Sequence, residues 1–247
     1  MMKVTIVTAT FNSESTVLRS MKSISSQDYK DIEHIVIDGD STDRTLEIVE
    51  KYKLDQTRVI SEPDAGIYDA LNKGIRLAQG DVIGFLHSDD QFKTNQAISD
   101  FVRAFDSDET DAVYADLEYI SKNDPSRVVR HWRSGQYKRS KLAMGWMPPH
   151  PTFYLRRERY ERYGGFDLSF DIAADYDSML RYLWTHNLSM TYVPKVLISM
   201  QTGGASNRDL RSIIKKTKED IRALSKNRIP VAPAILGKNF GKLKQFF

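Results

Sequence analysis

Short apolar runs alternate with helical patterns along the first ninety residues of the chain. The runs have the length and β-branched content of strands, and the intervening apolar side chains recur at the three- and four-residue spacing of amphipathic helices. The predicted strands are 3–9, 34–37, 58–61 and 81–86, and the predicted helices begin near Val17, near Leu46 and at Ile67. Strands that alternate with helices predict an α/β fold with a mostly parallel, Rossmann-like sheet flanked by helices.

The alternation weakens beyond residue 90. Helices are predicted at 97–105, 157–163, 176–184 and 211–224, strands at 112–120 and 192–199, an antiparallel hairpin partner at 128–132, and a loop at 135–151. The final stretch contains Pro230, Pro233, Gly237 and Gly241 and receives no assignment.

Polar clusters follow each of the four N-terminal strands. They occupy residues 8–12, 38–43, 62–69 and 87–90. In open parallel sheets, ligands bind outside the carboxyl ends of the strands. We therefore expect these four segments to line one crevice.

Length and charge divide the chain into a body and a basic end. The 247 residues, 40% of them hydrophobic, can bury one sizeable core. The net charge is only +3, but residues 208–247 hold eleven Lys and Arg against three Asp and Glu. We predict a catalytic domain over 1–206 and a basic helical extension over 207–247. The extension can contact anionic lipid headgroups or a phosphate-bearing acceptor, and a solvated basic helix explains the same pattern.

Composition also constrains the compartment. The chain has no cysteine, so nothing demands an oxidising environment, and we expect a cytoplasmic protein. The N-terminal apolar run resembles a first strand more than a signal peptide, and no run of 18 apolar residues predicts a membrane span.

Asp89 and Asp90 stand together after an apolar strand. Adjacent carboxylates repel each other unless a cation or hydrogen bonds compensate. Mg²⁺ or Mn²⁺ is the simplest compensation, since hard cations take oxygen ligands and often share them with substrate phosphates. An ordinary turn or helix cap would also accommodate two aspartates.

The turns after the first two strands contain candidate ligands for a nucleotide. Asp38 can accept hydrogen bonds from a base N–H group or from ribose hydroxyls, or can belong to a turn that caps the next helix. Thr10, Phe11 and Asn12 can line the same crevice, with the aromatic ring as a wall for the base. A buried Phe and a turn Asn explain these residues equally well.

The segment after the third strand concentrates charged side chains. Asp64 lies in its loop, and Asp69 and Lys73 are four residues apart on one helix face. That face can hold a phosphate or sugar hydroxyls, and a solvated helix surface has the same spacing. A dehydrogenase is disfavoured because no Gly-x-Gly-x-x-Gly motif follows the first strand.

Taken together, four motifs resemble glycosyltransferase family 2. They read IVTATFN (6–12), DGDSTDRT (38–45), EPDAGIYDALNKG (62–74) and GDVIGFLHSDD (80–90), in the order and spacing of that family. The resemblance covers residues 3 to about 205 and is densest in the first 90. It implies a GT-A fold and a transfer that inverts anomeric configuration. It also implies that Asp38 contacts the base, Asp89 the ribose or sugar, and Asp90 the metal, although Ser88-Asp89-Asp90 replaces the usual Asp-x-Asp.

Further family segments lie in the second half. The Ala174-Asp175-Tyr176-Asp177 segment resembles the family's Glu-Asp-x-Asp, with Ala in place of Glu, which makes Asp175 the candidate base. Electrostatic stabilisation of a helix N-terminus would also explain these acids. His150, in PHPTF (149–153), can touch the diphosphate or acceptor, or serve the loop structurally. Residues 203–206 resemble a loop that folds over the donor diphosphate, with Arg208 assisting.

The resemblance therefore implies a glycosyltransferase that moves a sugar from a nucleotide-sugar donor, most simply a UDP-sugar, to a hydroxyl of a glycan or lipid-linked acceptor. We expect peripheral membrane contact through the basic end and no nucleic-acid partner. A nucleotidyltransferase and a non-catalytic nucleotide-sugar binding protein are the alternatives. The first should show a Gly-rich, Lys- or Arg-bearing loop after strand one, which residues 8–15 lack.

Overall fold

The computed structural model describes residues 1–105, 109–203 and 210–243. Its N-terminal half alternates strands and helices as the apolar pattern predicts. In chain order the elements are β1 (Val4–Thr10), α1 (Val17–Ser25), β2 (Ile32–Asp38), α2 (Thr45–Tyr52), β3 (Arg58–Ser61), α3 (Ile67–Leu77) and β4 (Val82–Phe85). Each predicted strand and helix of this half is present.

The second half is more irregular. Its elements are β5 (Asp90–Phe92), α4 (Ala97–Ala104), β6 (Ala112–Ile120), β7 (Val128–Trp132), α5 (Arg139–Leu142), β8 (Tyr154–Arg156), α6 (Arg157–Tyr163), α7 (Ala174–Leu180), β9 (Met190–Gln201), α8 (Leu210–Lys226) and α9 (Val231–Leu243). A 3-10 turn covers His150–Thr152, and a π-helical turn, Arg181–Thr185, continues α7. The short elements β5, α5 and β8 are absent from the sequence prediction, and α9 lies in the predicted helical extension, in the stretch that received no element of its own.

The described strands form one mixed sheet in the order β3-β2-β1-β4-β8-β6-β9-β5, with β7 paired to β6. The pairs among β1 to β4 are all parallel, as expected, and β6 also runs parallel to β9. The pairs that involve β5, β7 and β8 are antiparallel. The Rossmann-like arrangement therefore describes the N-terminal half, and β8 joins it to the antiparallel part.

Both faces of the sheet are covered. All seven residues of β1 and all seven of β2 are buried, with alternate side chains in the cores on opposite faces. Where β4 meets β8, Gly84 leaves room for an aromatic ring, since a Cβ there would lie 2.1 Å from Cε1 of Tyr154. This close approach explains a glycine inside a buried strand.

The C-terminal helices share this core. Ala223 and Leu224 of α8 and Ala234 of α9 are fully buried in the same cluster as Phe85 of β4. The division at residue 206 stays a prediction, but α8 and α9 pack against the body over their apolar faces. Among the described helices, none combines the length and the apolar character that a membrane span requires.

Candidate functional site

The carboxylate of Asp38 joins the ends of the first three strands. It is fully buried and accepts hydrogen bonds from Thr10 Oγ1 at the end of β1 (2.8 Å), Ser61 Oγ at the end of β3 (2.8 Å), and the N–H (2.9 Å) and hydroxyl of Ser41. Burial opposes ionisation, but the bonds from Ser41, Ser61 and Thr10 outweigh it and lower the pKa of Asp38. These four bonds use the acceptor positions of the carboxylate, so Asp38 fixes the ends of β1 and β3 and the turn at Ser41, and its contact with a base stays a prediction.

An exposed aromatic ring stands beside this junction. Phe11 is 63% exposed, and a Cβ on Gly39 would lie 3.4 Å from the Phe11 ring and 3.2 Å from Oδ2 of Asp64. Asn12 has a left-handed backbone (φ 46°) and accepts the N–H of Thr42 (2.9 Å), so it holds the 38–43 turn in place. The exposed ring of Phe11 and the largely buried carboxylate of Asp64 thus both lie beside Gly39, where the ring offers a face to a flat heterocycle.

Lys73 holds the loop that contains Asp64. Its ammonium contacts Glu62 (2.8 Å), Asp64 and Asp69 (3.7 Å), and hydrogen bonds with Asp64 and Glu62 raise the pKa of Lys73. Asp69 also accepts the N–H of Ala65 (3.2 Å). Lys73 is therefore engaged with carboxylates of its own loop, and the shared helix face of Asp69 and Lys73 braces that loop.

Asp90 is a buried carboxylate whose oxygens lack hydrogen-bond partners among the described residues. It is 1% exposed at the start of β5, and within the described residues neither oxygen accepts a hydrogen bond of normal geometry. Burial and the neighbouring charge of Asp89 raise the pKa of Asp90 well above its usual range, and the nearby N–H of Gln201 offsets only part of this. Buried polar groups are normally paired, so this carboxylate has the properties of a ligand position for a cation.

Asp89 lies partly exposed next to Asp90, and Ser88 Oγ donates to Ser13 Oγ (2.9 Å), which ties this loop to the loop after β1. No group of three or more Asp, Glu, His or Cys side chains that could enclose a metal occurs among the described residues. Such a cage is not needed for Mg²⁺ or Mn²⁺, which take one or two carboxylates and fill their other positions with phosphate and water. The residues present therefore fit such an ion.

Asp175 lies near two half-buried histidines. The rings of His87, which follows β4, and His150 are 5.8 Å apart, and His150 stacks on Phe85 (5.3 Å). Burial lowers the pKa of His150 to about 4 and also lowers the pKa of His87, and the negative charge of Asp175 opposes both shifts. Both imidazoles are therefore neutral at pH 7, and Asp175 is close enough to act on each.

Helix α3 connects the loop of residues 62–66 to Asp175. Tyr68, one residue before Asp69, donates its hydroxyl to the carbonyl of Ile172 (2.6 Å) and to Oδ1 of Asp175 (3.3 Å). Burial and the charge of Asp175 raise the pKa of Tyr68, so its hydroxyl stays a donor. The same Oδ1 accepts the N–H of Tyr176 (2.7 Å), and Oδ2 has no hydrogen bond from the described residues.

Sequence reasoning missed Tyr68, His87 and Lys238 as neighbours of Asp175. Lys238 of α9 lies 3.5 Å above the ring of Tyr176 and 2.9 Å from Asp220, and burial lowers the pKa of Lys238 to about 8. Tyr68 and His87 stand within motifs that were recognised, so the motif was their signal, whereas nothing local connects Lys238 with the site. Of the loop expected over the diphosphate, residues 204–206 and Arg208 lie outside the described residues.

Comparisons with known proteins give matches at the level of the family. The model of Glycosyl transferase family 2 matches residues 5–173. An uncharacterized glycosyltransferase of Mycobacterium tuberculosis is 32% identical over 194 residues, which cover 72% of this chain and 68% of that protein. A PGL/p-HBAD biosynthesis glycosyltransferase of Mycobacterium bovis is 29% identical over 208 residues, which cover 82% of this chain and 78% of that protein.

Solved structures show the same fold. The S. aureus protein TarS, in complex with UDP-GlcNAc, superposes with a TM-score of 0.70 at 19% identity over 99% of this chain and 73% of that one. The mannosyltransferase PcManGT from Pyrobaculum calidifontis, in complex with GDP-Man and Mn²⁺, gives 0.68 at 17% identity over 99% and 71%. With a family match over more than half of its length and the GT-A fold of these neighbours, the chain belongs to glycosyltransferase family 2 and is a glycosyltransferase.

Proposed function

We propose that this enzyme transfers a sugar from a UDP-sugar to a hydroxyl acceptor with inversion at the anomeric carbon. The observation that carries the proposal is the unpaired, buried carboxylate of Asp90, on a loop that Ser88 ties to the loop of the exposed Phe11 ring. A cation held at Asp90 would neutralise the diphosphate of a donor whose nucleoside lies against Phe11.

The donor side is built from Phe11, Asp64 and Asp89. The Phe11 ring offers a stacking face for a pyrimidine, and the nearby Oδ2 of Asp64 can accept from a base N–H or a ribose hydroxyl. Asp89, partly exposed next to Asp90, can reach the ribose or the sugar. The UDP-GlcNAc complex of TarS and the GDP-Man complex of PcManGT support a nucleotide-sugar donor here by analogy of fold.

Asp90, with Asp89 beside it, would hold Mg²⁺ or Mn²⁺. A divalent cation bound there would neutralise charge on the leaving diphosphate. The protein supplies the ligand in a buried place where the carboxylate is otherwise uncompensated, and the Mn²⁺ in the PcManGT complex is in keeping with this assignment.

Asp175 would act as the general base. Its Oδ2, which accepts no bond from the described residues, takes the proton from the acceptor hydroxyl as the acceptor oxygen forms its bond to the anomeric carbon. The bond from that carbon to the diphosphate oxygen breaks, and the nucleoside diphosphate leaves with the electron pair. Tyr68 and the N–H of Tyr176 keep Oδ1 fixed during this step, and neutral His150 lines the interior nearby.

The acceptor is proposed to be a glycan or lipid-linked sugar at the cytoplasmic face of a membrane. On α8, Ile213, Ile214 and Ile221 are exposed, with exposed Arg211 and Lys218 on the same helix. Apolar side chains with a basic rim favour an anionic interface. Several other basic residues of the extension are engaged with acids of the body, including Lys215 with Asp171 and Lys226 with Asp167. The membrane contact therefore depends on the isoleucines as much as on net charge.

The test compares Asp175→Asn with Asp171→Asn, a matched change in the same segment at an exposed carboxylate. A thermal-shift screen of UDP-sugars with Mn²⁺ first selects the donor that stabilises the chain most. Asp175→Asn should keep UDP affinity and lower UDP release from that donor at least ~100-fold, because the proton acceptor is lost. Asp171→Asn should keep both. Full turnover by Asp175→Asn would show that another group is the base. Pyrophosphate release from a nucleoside triphosphate would favour a nucleotidyltransferase instead.

A further inference from the structure

A buried carboxylate of the C-terminal extension binds the backbone just before α7. Glu219 of α8 is 8% exposed and accepts three main-chain N–H groups, from Asp171 (3.2 Å), Ile172 (2.8 Å) and Ala173 (2.9 Å). These N–H groups precede the first turn of α7, which contains Asp175. Bonds from a charged carboxylate to main-chain N–H groups are stronger than neutral ones, and a negative charge at this end of a helix is favourable.

The peptide at Ile172 is held from both sides. Its N–H donates to Glu219 of α8, and its carbonyl accepts from Tyr68 of α3 (2.6 Å), the same hydroxyl that contacts Asp175. The segment is thus fixed between a helix of the parallel half and the C-terminal extension. Loss of either the Glu219 or the Tyr68 contact would leave this segment held from one side only.

Helix α8 runs along the whole segment. Lys226 contacts Asp167 (2.7 Å) and the buried Asp177 (3.0 Å), and Asn227 donates to the other oxygen of Asp177 (3.1 Å). These contacts fix the end of α8, and the residue after it, to α7 two residues beyond Asp175, whereas Glu219 fixes the backbone two residues before it. Asp175 is therefore bracketed by contacts to one helix.

We propose that Glu219 is a positioning residue for transfer, which sets the place of the Asp175 carboxylate through the 171–173 backbone. The inference rests on the proposed role of Asp175 as base. Among the described residues, no hydrogen bond or ion pair joins Glu219 to the donor-side residues Phe11, Asp64 and Asp90. A change at Glu219 should therefore lower kcat and leave donor affinity unchanged.

The experiment measures kcat for UDP release from the selected UDP-sugar, and Kd for UDP with Mn²⁺, in Glu219→Ala, Glu219→Gln and Ala223→Gly. Ala223 is a buried residue of α8, so Ala223→Gly weakens the helix and its packing but keeps the Glu219 carboxylate that binds the 171–173 backbone. Glu219→Ala should lower kcat about 10- to 100-fold, because small misplacements of a reacting group have effects of this size, with Kd within twofold. Glu219→Gln should recover part of kcat, since its amide oxygen can still accept from Ile172 and Ala173.

The outcomes separate the two proposals. The activities of Glu219→Ala and Ala223→Gly are compared at equal folded fraction. If these two variants are equally active while Asp175→Asn loses turnover, the positioning role of Glu219 is wrong and Asp175 remains the base. An equal loss of UDP affinity and kcat in Glu219→Ala also overturns the positioning role, because it indicates general damage. If Asp175→Asn keeps full turnover, or the wild-type chain releases no UDP with Mn²⁺, both proposals are wrong.

Discussion

Replacing Asp90 with Asn should stabilise the protein when metal is absent and destabilise it, relative to wild type, when metal and nucleotide are present. Asp90 is buried without a hydrogen-bond partner among the described residues, and burial and Asp89 raise its pKa. Ionising Asp90 is therefore less favourable in the folded state than in the unfolded state, and this difference lowers the free energy of unfolding. Asn keeps the shape and removes the charge.

The size of the effect follows from linkage. Each unit by which the folded pKa exceeds the unfolded one lowers stability at neutral pH by about 1.4 kcal/mol. A folded pKa raised this way leaves stability intact below the unfolded pKa and removes it as pH rises towards the folded pKa. The advantage of Asp90→Asn should thus grow from about pH 4 upwards and level off above the folded pKa. One pKa unit corresponds to a melting temperature about 3–6 °C higher for a domain of this size.

Two denaturation series test this. In EDTA at pH 7.5, Asp90→Asn should melt above wild type. With Mn²⁺ and UDP at about one hundred times Kd, wild type should gain about 2.7 kcal/mol from ligand binding, whereas the variant should gain much less. The order of the two melting temperatures then reverses.

Asp100→Asn is the matched control, because Asp100 is also a buried carboxylate but has partners. It binds Lys195 (2.9 and 3.0 Å) and Arg103, and although burial opposes ionisation, these partners lower the pKa of Asp100. Neutralising it should cost stability with and without metal. If Asp90→Asn behaves like Asp100→Asn in EDTA, or if Mn²⁺ and UDP leave the order unchanged, the metal assignment is refuted.

Three further outcomes are expected. Burial lowers the pKa of His34 to about 3. The free energy of unfolding should therefore fall by about 1.4 kcal/mol per pH unit through this group as pH falls below about 6.5. His34→Gln should remove that part of the pH dependence in urea titrations at pH 6.5 and 5. Gly84→Ala should destabilise by at least ~1–3 kcal/mol, measured by denaturation, because its Cβ would overlap Tyr154; an unchanged midpoint contradicts this. Lys73→Met should weaken UDP binding about tenfold in calorimetry, a factor equivalent to about 1.4 kcal/mol, because the loop of Asp64 loses its cation; equal affinity would show that the loop holds itself.

The parallel half could be predicted because its strands are buried on both faces and its helices are amphipathic, so the apolar pattern alone reports them. The short strand β5 could not, since the segment Asp90–Phe92 is recognisable as a strand only through its pairing with β9. The same limit hid the environment of Asp90. Its position after a strand was visible in the sequence, but its burial without partners depends on the remote strand beside it.

The bounds of helix α9 were not predicted, although a helical extension was, because proline and glycine are typical helix breakers. Pro233 is the third residue of the helix, where no N–H donor is needed for an intrahelical bond. Gly237 lies against the body, since a Cβ there would come within 2.1 Å of the Met144 carbonyl oxygen. Both residues fit the helix for tertiary reasons. The proposed role of Glu219 was hidden in the same way, because an acid in a mostly basic helix shows nothing of the backbone that it binds.

In the proposed site, donor and cation binding should depend on each other. The proposed groups Asp64, Asp89, Asp90 and Asp175 are all acidic, and Lys73 is already engaged with the carboxylates of its loop. A nucleoside diphosphate would bring further negative charge to this place, which is unfavourable at short range. A cation alone would find one or two protein oxygens, fewer ligands than it needs. When both ligands are present, the cation would take oxygen ligands from Asp90 and from the phosphates. Its positive charge would then offset the negative charge of the diphosphate. We therefore expect UDP without Mn²⁺, and Mn²⁺ without UDP, each to stabilise the chain far less than the two combined.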